Sequence, residues 1–367
     1  MKLSIFLNVL STHQEGLCNA FYNLLGENFK AVLFGKLPQY RIDAGFEDLS
    51  QKYPYCVVLS EEPEERTKML KEIVDNSDVG IVGGVTDSIF DMFINQNKRC
   101  FLFSERFYKK GTWRRIVPSI LKSVKKRFRN NPNFEVLCAS AYLPYDLKIS
   151  GYKGRCLQWG YFPQIADAEY SKRTNSQVKI MWAARFIDWK HPETVINCAK
   201  ALKKKGVNFE ISMIGAGKLS KKYAREAKDI ISEGVLKCLE PVPPQQIHKM
   251  MQQADIFVAT SDYNEGWGVV INESMANGCA VVASRAMGAV PFMINNGYNG
   301  YSYKWNNLRD FNDKVETLVL NSELREKVGK NAYKFVQENY SPEVAADRFC
   351  RYINGENFDN GICSIIE

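Results

Sequence analysis

Apolar residues in this chain come in short runs separated by amphipathic stretches, and the two kinds alternate from the first residues onward. KLSIFLNVL (Lys2 to Leu10) is a β-type run, STHQEG is a polar loop, and LCNAFYNLLGENF has helical spacing at Leu17, Phe21, Leu24 and Leu25. KAVLFG returns as a strand, Lys36 to Gln51 is irregular, and YCVVLS, DVGIVGG, RCFLFSE and FEVLCAS read as further strands. EEPEERTKMLKEIVDNS and TDSIFDMFINQNK are the helices among them, and RCLQWGYFPQ (Arg155 to Gln164) closes the series. ADAEYSKRTNSQ then breaks the pattern, polar and aperiodic, as a linker does.

The alternation restarts with VKIMWAAR as a strand, HPETVINCAKALKKKG as a helix, FEISMIGAG as a strand and SKKYAREAKDIISEG as a single helix. KCLEPV, PPQQIHKMMQQ and ADIFVATSDYN continue it, the last holding a buried strand at Ile256 to Ala259. Such alternation predicts α/β halves built on doubly wound parallel sheets. The tail reads as two helices split near Ser341-Pro342, with proline in a first-turn position.

The stretch EGWGVVINESMANG (Glu265 to Gly278) follows the strand Ile256 to Ala259 and carries two carboxylates eight positions apart. Gly266 and Gly268 flank Trp267, so the backbone can turn tightly and bring N–H groups close to a ligand. From Val269 onward the residues read as a helix start, which favours phosphate. Eight positions are a little over two helical turns, which lets Glu273 face the same side as Glu265. CAVVAS then reads as the next strand. In parallel sheets ligands collect outside the carboxyl ends of the strands, where Glu265 lies.

E-x7-E after a strand, then MANG, VVAS, a glycine turn and N-G-Y-N-G, resembles the retaining glycosyltransferases of the GT-B fold in glycosyltransferase family 4, over most of the second half. The resemblance implies two Rossmann-like doubly wound domains facing a central cleft. Residues 1–165 are expected to be the acceptor domain and 176–340 the nucleotide-sugar domain. In this family the last helix, within 341–367, commonly crosses back to the first domain. Glu265 is expected to hold a hydroxyl of the donor sugar and Glu273 the ribose hydroxyls. Backbone N–H groups from Gly266 through Trp267 and Gly268 to Val269 are expected to face sugar and diphosphate. The family often has a second glycine and then an acid after VVAS; this chain has Ala289 and Pro291, so no donor contact is assigned to that turn.

In AARFIDWKHPE, Arg185 and Lys190 stand five apart just beyond a strand end, where two cations can neutralise a diphosphate. An isolated R-x4-K reads as a solvated loop; beside E-x7-E it matches the family's diphosphate contacts residue for residue. Gly215 in MIGAGKL is a plain turn on its own pattern and by resemblance lines the nucleotide side. In LEPVPP, two prolines restrict the backbone around Val242 so that its polar groups can read a base edge. His13 is a catalytic candidate at the end of the first strand, with helix capping by Thr12 or His13 as the alternative. Gly16 is expected to let the backbone approach the diphosphate. His191 and His248 read as ordinary loop or surface residues. Three separated histidines give no metal-ligand spacing, so no metal and no cofactor beyond the substrate nucleotide is expected.

A length of 367 residues suits two domains. Ten cysteines lie scattered, mostly in apolar runs, without C-x-x-C pairs; they read as reduced core residues of a cytoplasmic protein. No apolar run reaches membrane-spanning length, and no signal pattern follows Met1. Net charge is +8, yet ten Lys and Arg fall between Arg106 and Arg129 with no acid among them, so the rest of the chain sums to −2. Ile120, Val124 and Phe128, or Val117, Leu121, Val124 and Phe128, make an apolar stripe within those cations, as in a helix lying on anionic lipid; packing of the stripe on its own domain is the alternative.

The functional expectation is a retaining transfer of a hexose or hexosamine from a nucleoside-diphosphate sugar, with UDP as the expected nucleotide. The acceptor is expected to be lipid-linked or saccharide, at the inner membrane surface. A GT-B nucleotide-sugar epimerase and a non-catalytic membrane- or partner-binding module are the alternatives. Nucleic-acid binding is disfavoured by the slightly acidic remainder.

Overall fold

The computed structural model describes residues 1–42, 47–84, 88–109, 128–164, 170–171 and 173–356. The chain divides into two units, one made of Met1–Gln164 with Asn339–Glu367 and the other of Ile165–Glu338.

The first unit holds β1 (Leu3–Leu7), β2 (Phe29–Leu33), β3 (Cys56–Val58), β4 (Val79–Gly83), β5 (Arg99–Ser104), β6 (Phe134–Cys138) and β7 (Cys156–Gln158). They form one sheet in the order β3-β2-β1-β4-β5-β6-β7, with every pairing parallel. All five residues of β1 are buried, as expected of a strand covered by helices on both faces. The helix Pro342–Ile353 belongs here: Phe349 meets Phe21 edge-on at 5.6 Å and Phe101 at 5.1 Å. Its start is fixed by Pro342 in the first turn and by Ser341, whose hydroxyl accepts from the Val344 N–H at 3.3 Å.

Three expectations change in this unit. The polar run STHQEG is not a loop before a helix, since the helix spans Thr12–Leu25 and Gly16 sits inside it. A Cβ at Gly16 would stand 2.9 Å from Cγ of Pro342 and 3.0 Å from the carbonyl oxygen of Phe162. The glycine therefore serves close packing of helix on helix and chain. Phe128, placed in the lipid-facing stripe, is 1% exposed and lies flat on Phe134 at 4.6 Å and 16°, with Phe90 at 5.7 Å. It is a core residue. Arg106, at the other end of the basic run, spends its charge on buried Asp146 at 3.2 Å, whose second oxygen takes the Phe107 and Tyr108 N–H groups. Val117, Ile120, Leu121 and Val124 lie outside the described residues, as do all cations from Lys110 to Arg127.

The second unit holds β8 (Val178–Ala183), β9 (Phe209–Ile214), β10 (Leu236–Leu239), β11 (Ile256–Ala259), β12 (Ala280–Ser284) and β13 (Tyr301–Tyr303). Their order is β10-β9-β8-β11-β12-β13, again wholly parallel. Trp182, Ile196, Met213, Val258, Val282 and Phe311 are among its buried core. SKKYAREAKDIISEG, expected to be one helix, is two, Ser220–Glu226 and Lys228–Ser232, with Ala227 between them at φ −101° and ψ 7°. Among the described cysteines six of nine are buried, and all nine are free thiols.

Each sheet winds outward in one direction from its first strand and then in the other. In the second unit the reversal falls between β8 and β11, and the crevice outside the carboxyl ends of these two strands is where such a sheet takes a ligand.

Candidate functional site

Arg185 and Lys190 lie on the loop leaving β8, and Glu265 on the loop leaving β11. Thr260, at the end of β11, fastens the two together: it accepts from the Trp182 indole at 3.0 Å and donates to the Lys190 carbonyl at 2.6 Å. The Asp262 N–H donates to the Trp189 carbonyl at 3.0 Å, and the Asp262 carboxylate accepts the Asn264 N–H at 2.8 Å. Glu265 closes that turn with its N–H on the Asp262 carbonyl at 3.1 Å.

This backbone delivers the Lys190 ammonium directly onto the Glu265 carboxylate, which also accepts from Ser261 Oγ at 3.0 Å. The lysine and glutamate side chains are 14% and 13% exposed, so the pair is shielded from solvent screening. Trp189 lies under both cations, with the Lys190 nitrogen 4.4 Å and the Arg185 guanidinium carbon 5.8 Å from its ring centre. Arg185 is exposed, and among the described residues no carboxylate pairs with it.

Gly268 has φ +94°, and a Cβ there would stand 2.5 Å from Met287 and 3.3 Å from Cγ of Glu265. A side chain would strain the backbone, displace the Met287 methyl and crowd Glu265. Trp267 points inward, 1% exposed, with its indole N–H on Asn272 at 2.8 Å. Its side chain anchors the turn, leaving only its backbone for a ligand. The Trp267 carbonyl accepts from the Ala289 N–H at 3.0 Å, so that N–H of the turn after β12 is already spent. Gly266 is buried beside it, and Val269 leads into the helix Val270–Ala276.

Glu273 lies in the first turn of that helix, its N–H on the Val269 carbonyl at 3.1 Å. Burial pushes its carboxyl up to about 7. His248, from the helix Pro244–Gln253, places Nε2 4.0 Å from Glu273 and Nδ1 3.2 Å from the Asn277 amide; burial lowers this imidazole below its usual range. Gly215 has φ +142°, and a Cβ there would meet the Ala184 carbonyl oxygen at 2.1 Å. Its glycine identity thus answers to the backbone just before Arg185. Val242 is half-buried in the loop beyond β10. His13 stands in the first unit, in the first turn of the helix Thr12–Leu25, with Tyr161 edge-on at 6.5 Å. It joins Leu7, Ile81 and Phe103 in lining an apolar recess.

His191, which by its sequence is an ordinary loop or surface residue, joins the site, as do Asp262 and Ser261, to which the sequence gives no role. Their signals were a histidine after Lys190 and the S-D-Y-N run after β11, each of which also suits an ordinary loop. Among the described residues no group of three or more His, Cys, Asp or Glu side chains is placed to hold a metal ion.

The match to a known family falls on this unit. Residues 166–335 match the family model described as "Glycosyl transferases group 1". D-inositol 3-phosphate glycosyltransferase of Corynebacterium aurimucosum is 28% identical over 165 residues, covering 43% of this chain and 39% of that one. N,N'-diacetylbacillosaminyl-diphospho-undecaprenol alpha-1,3-N-acetylgalactosaminyltransferase of Campylobacter jejuni is 34% identical over 105 residues, covering 29% and 27%. The chain thus spans well under half the length of these two curated relatives. Among solved structures, Anabaena HepE in complex with UDP aligns over 97% of this chain and 100% of its own, with TM-score 0.72 and 14% identity. The lipopolysaccharide outer core galactosyltransferase WaaB aligns over 96% and 99%, with TM-score 0.69 and 14% identity. The fold is the two-domain, Rossmann-like GT-B fold.

Proposed function

We propose that the protein is a retaining glycosyltransferase of family 4 that moves a hexose or hexosamine from a nucleoside-diphosphate sugar, with UDP as the nucleotide, to a lipid-linked or saccharide acceptor. The observation that carries this reading is the meeting of Lys190 with Glu265 at the switch point of the second sheet, beside Arg185, which pairs with no carboxylate among the described residues. The match of residues 166–335 to group 1 glycosyl transferases supports it, as do the glycosyltransferase activities named for the relatives and the UDP bound by HepE.

A diphosphate brought to this crevice competes with Glu265 for the Lys190 ammonium and takes Arg185 as a second cation. Glu265, released from the ion pair, turns its oxygens to the sugar hydroxyls. As the bond from the anomeric carbon to the diphosphate breaks, Arg185 and Lys190 stabilise the departing charge. In the front-face reaction the acceptor oxygen bonds to that carbon from the same side, and its proton passes to the leaving phosphate oxygen. Glu273, ionised, holds the ribose hydroxyls. No metal or cofactor enters this scheme.

Incubation with a panel of UDP-sugars, with and without lipid-linked and free saccharide acceptors, tests the reading by the release of UDP. Acceptor-dependent UDP release is the expected result. A new sugar isomer formed without acceptor points to the epimerase instead, and no turnover of any donor sinks both. No helix among the described residues is long and apolar enough to cross a membrane. Contact with the inner membrane surface is proposed on the cations of 110–127 alone. It predicts that changing Lys125, Lys126 and Arg127 together to Gln reduces flotation with anionic vesicles; equal flotation removes it.

A further inference from the structure

His191 follows Lys190 and closes the loop from β8, with backbone angles φ 50° and ψ 55° in the left-handed region. A β-carbon is disfavoured there, and asparagine, aspartate and histidine enter the region more readily than other side chains. What distinguishes this histidine is what its ring meets. Nδ1 lies 2.7 Å from Glu193 Oε1, in the first turn of the helix Pro192–Lys204, and Nε2 lies 3.3 Å from Asp262 Oδ2, in the loop from β11. The ring packs at 4.4 Å against Trp305, just beyond β13.

We propose that His191 is a positioning residue of the donor site: bridging Glu193 and Asp262, it locks the loop that carries Lys190 to the loop that carries Glu265. The bridge needs both ring nitrogens to donate, which only the imidazolium can do. The groups facing it are Glu193, itself held by the Tyr223 hydroxyl at 2.8 Å, Asp262, the uncharged Trp305 ring and, on its own loop, the neighbouring Lys190. Burial works against its charge, but the hydrogen bonds to Asp262 and Glu193 outweigh burial and raise its pKa to about 9. The lock is therefore closed at neutral pH and opens in alkali. Asp262 supplies a second tie through its N–H on Trp189, so the histidine sets the side-chain half of a junction whose backbone half is already made.

The inference rests on the donor-site reading, and two measurements separate them. The first follows tryptophan fluorescence from pH 7 to 10.5 in the wild type, Trp305→Phe and His191→Asn. An imidazolium quenches a neighbouring indole, so the wild type should brighten with a midpoint near 9 and both variants should lack that step. Absence of the step in the wild type overturns the bridge, whatever the site binds. The second compares UDP affinity by calorimetry in the wild type, His191→Asn and Asp262→Asn. At pH 7.5 each variant should bind about fivefold more weakly, and the ratio of wild-type to His191→Asn affinity should approach one above the histidine's titration. Comparing the ratio cancels any titration of the nucleotide. Equal affinities at pH 7.5, with the fluorescence step present, overturn the positioning role and leave the donor site standing. Failure of the wild type to bind UDP at all removes the donor site, and this role with it.

Discussion

Glu273 Oε1 stands 4.0 Å from Nε2 of His248, and burial drives both groups toward their neutral forms. The carboxyl is pushed up to about 7, so near neutral pH it is only partly ionised. A carboxylate accepts from two ribose hydroxyls, which a carboxylic acid does less well. UDP affinity should accordingly rise as pH increases through about 7, up to the range near 9 where the His191 bridge opens. For stability the sign is opposite: an acid whose folded pKa is raised holds its proton longer in the folded state, so its contribution falls as pH rises from 4.5 to about 7. Glu273→Gln should flatten the affinity profile, and Glu273→Ala should weaken UDP by about tenfold to a hundredfold. Calorimetry across pH 5.5 to 8.5 checks both, and a flat wild-type profile removes Glu273 from the nucleotide site.

Lys190→Ala and Arg185→Ala should each lower turnover by about a hundredfold, because both charges are used where the diphosphate charge develops. Their effects on folding should differ. Arg185 is exposed, and its removal should leave the melting temperature close to wild type. Removal of Lys190 leaves a largely buried carboxylate with Ser261 as its remaining side-chain donor, which should cost about 1–3 kcal/mol. Steady-state kinetics beside thermal melting separates the two. Normal turnover in either variant takes that residue out of the site.

Phe128→Ala should destabilise the protein by about 3–5 kcal/mol in solution without lipid, since its ring fills space between Phe90 and Phe134. Chemical denaturation provides the measurement. A loss below about 1 kcal/mol would contradict the packing described.

Gly16→Ala should also destabilise, by about 1–3 kcal/mol, because its new carbon meets Pro342 and the backbone of Phe162 and Gln164. UDP affinity of the folded variant should match wild type. A variant that folds as well as wild type but binds UDP poorly would instead place Gly16 at the donor site.

The parallel sheets were legible because their strands are continuous apolar runs with helical spacing between them. Arg185, Lys190 and Glu265 could be singled out for a related reason: each closely follows a strand, and a parallel sheet fixes where such loops emerge. Gly16 was misplaced because Thr12 to Glu15 are polar, and polarity alone does not distinguish a loop from the exposed first turn of a helix. Phe128 was misplaced because helical spacing shows that a stripe exists but not what covers it. His191 is visible in the sequence as a histidine after Lys190, but its role is not. Its two carboxylate partners lie 2 and 71 positions away, and its left-handed backbone leaves no mark in the residue pattern. The helix Leu308–Leu320 and the three-residue β13 were likewise not read.

Phe349 and Tyr352, in the helix Pro342–Ile353, pack on Phe101 of β5, while the residues between Gln164 and Asn339 make a unit of their own. The ribosome therefore releases the two units in an order opposite to the one in which they begin. The later-starting unit has all its strands in hand while the earlier one still waits for its last helix, with Phe21 and Phe101 uncovered. For that interval the nascent chain displays an aromatic face suited to chaperone capture, and a fragment of residues 1–164 made alone should retain that face, bind a hydrophobic dye and aggregate.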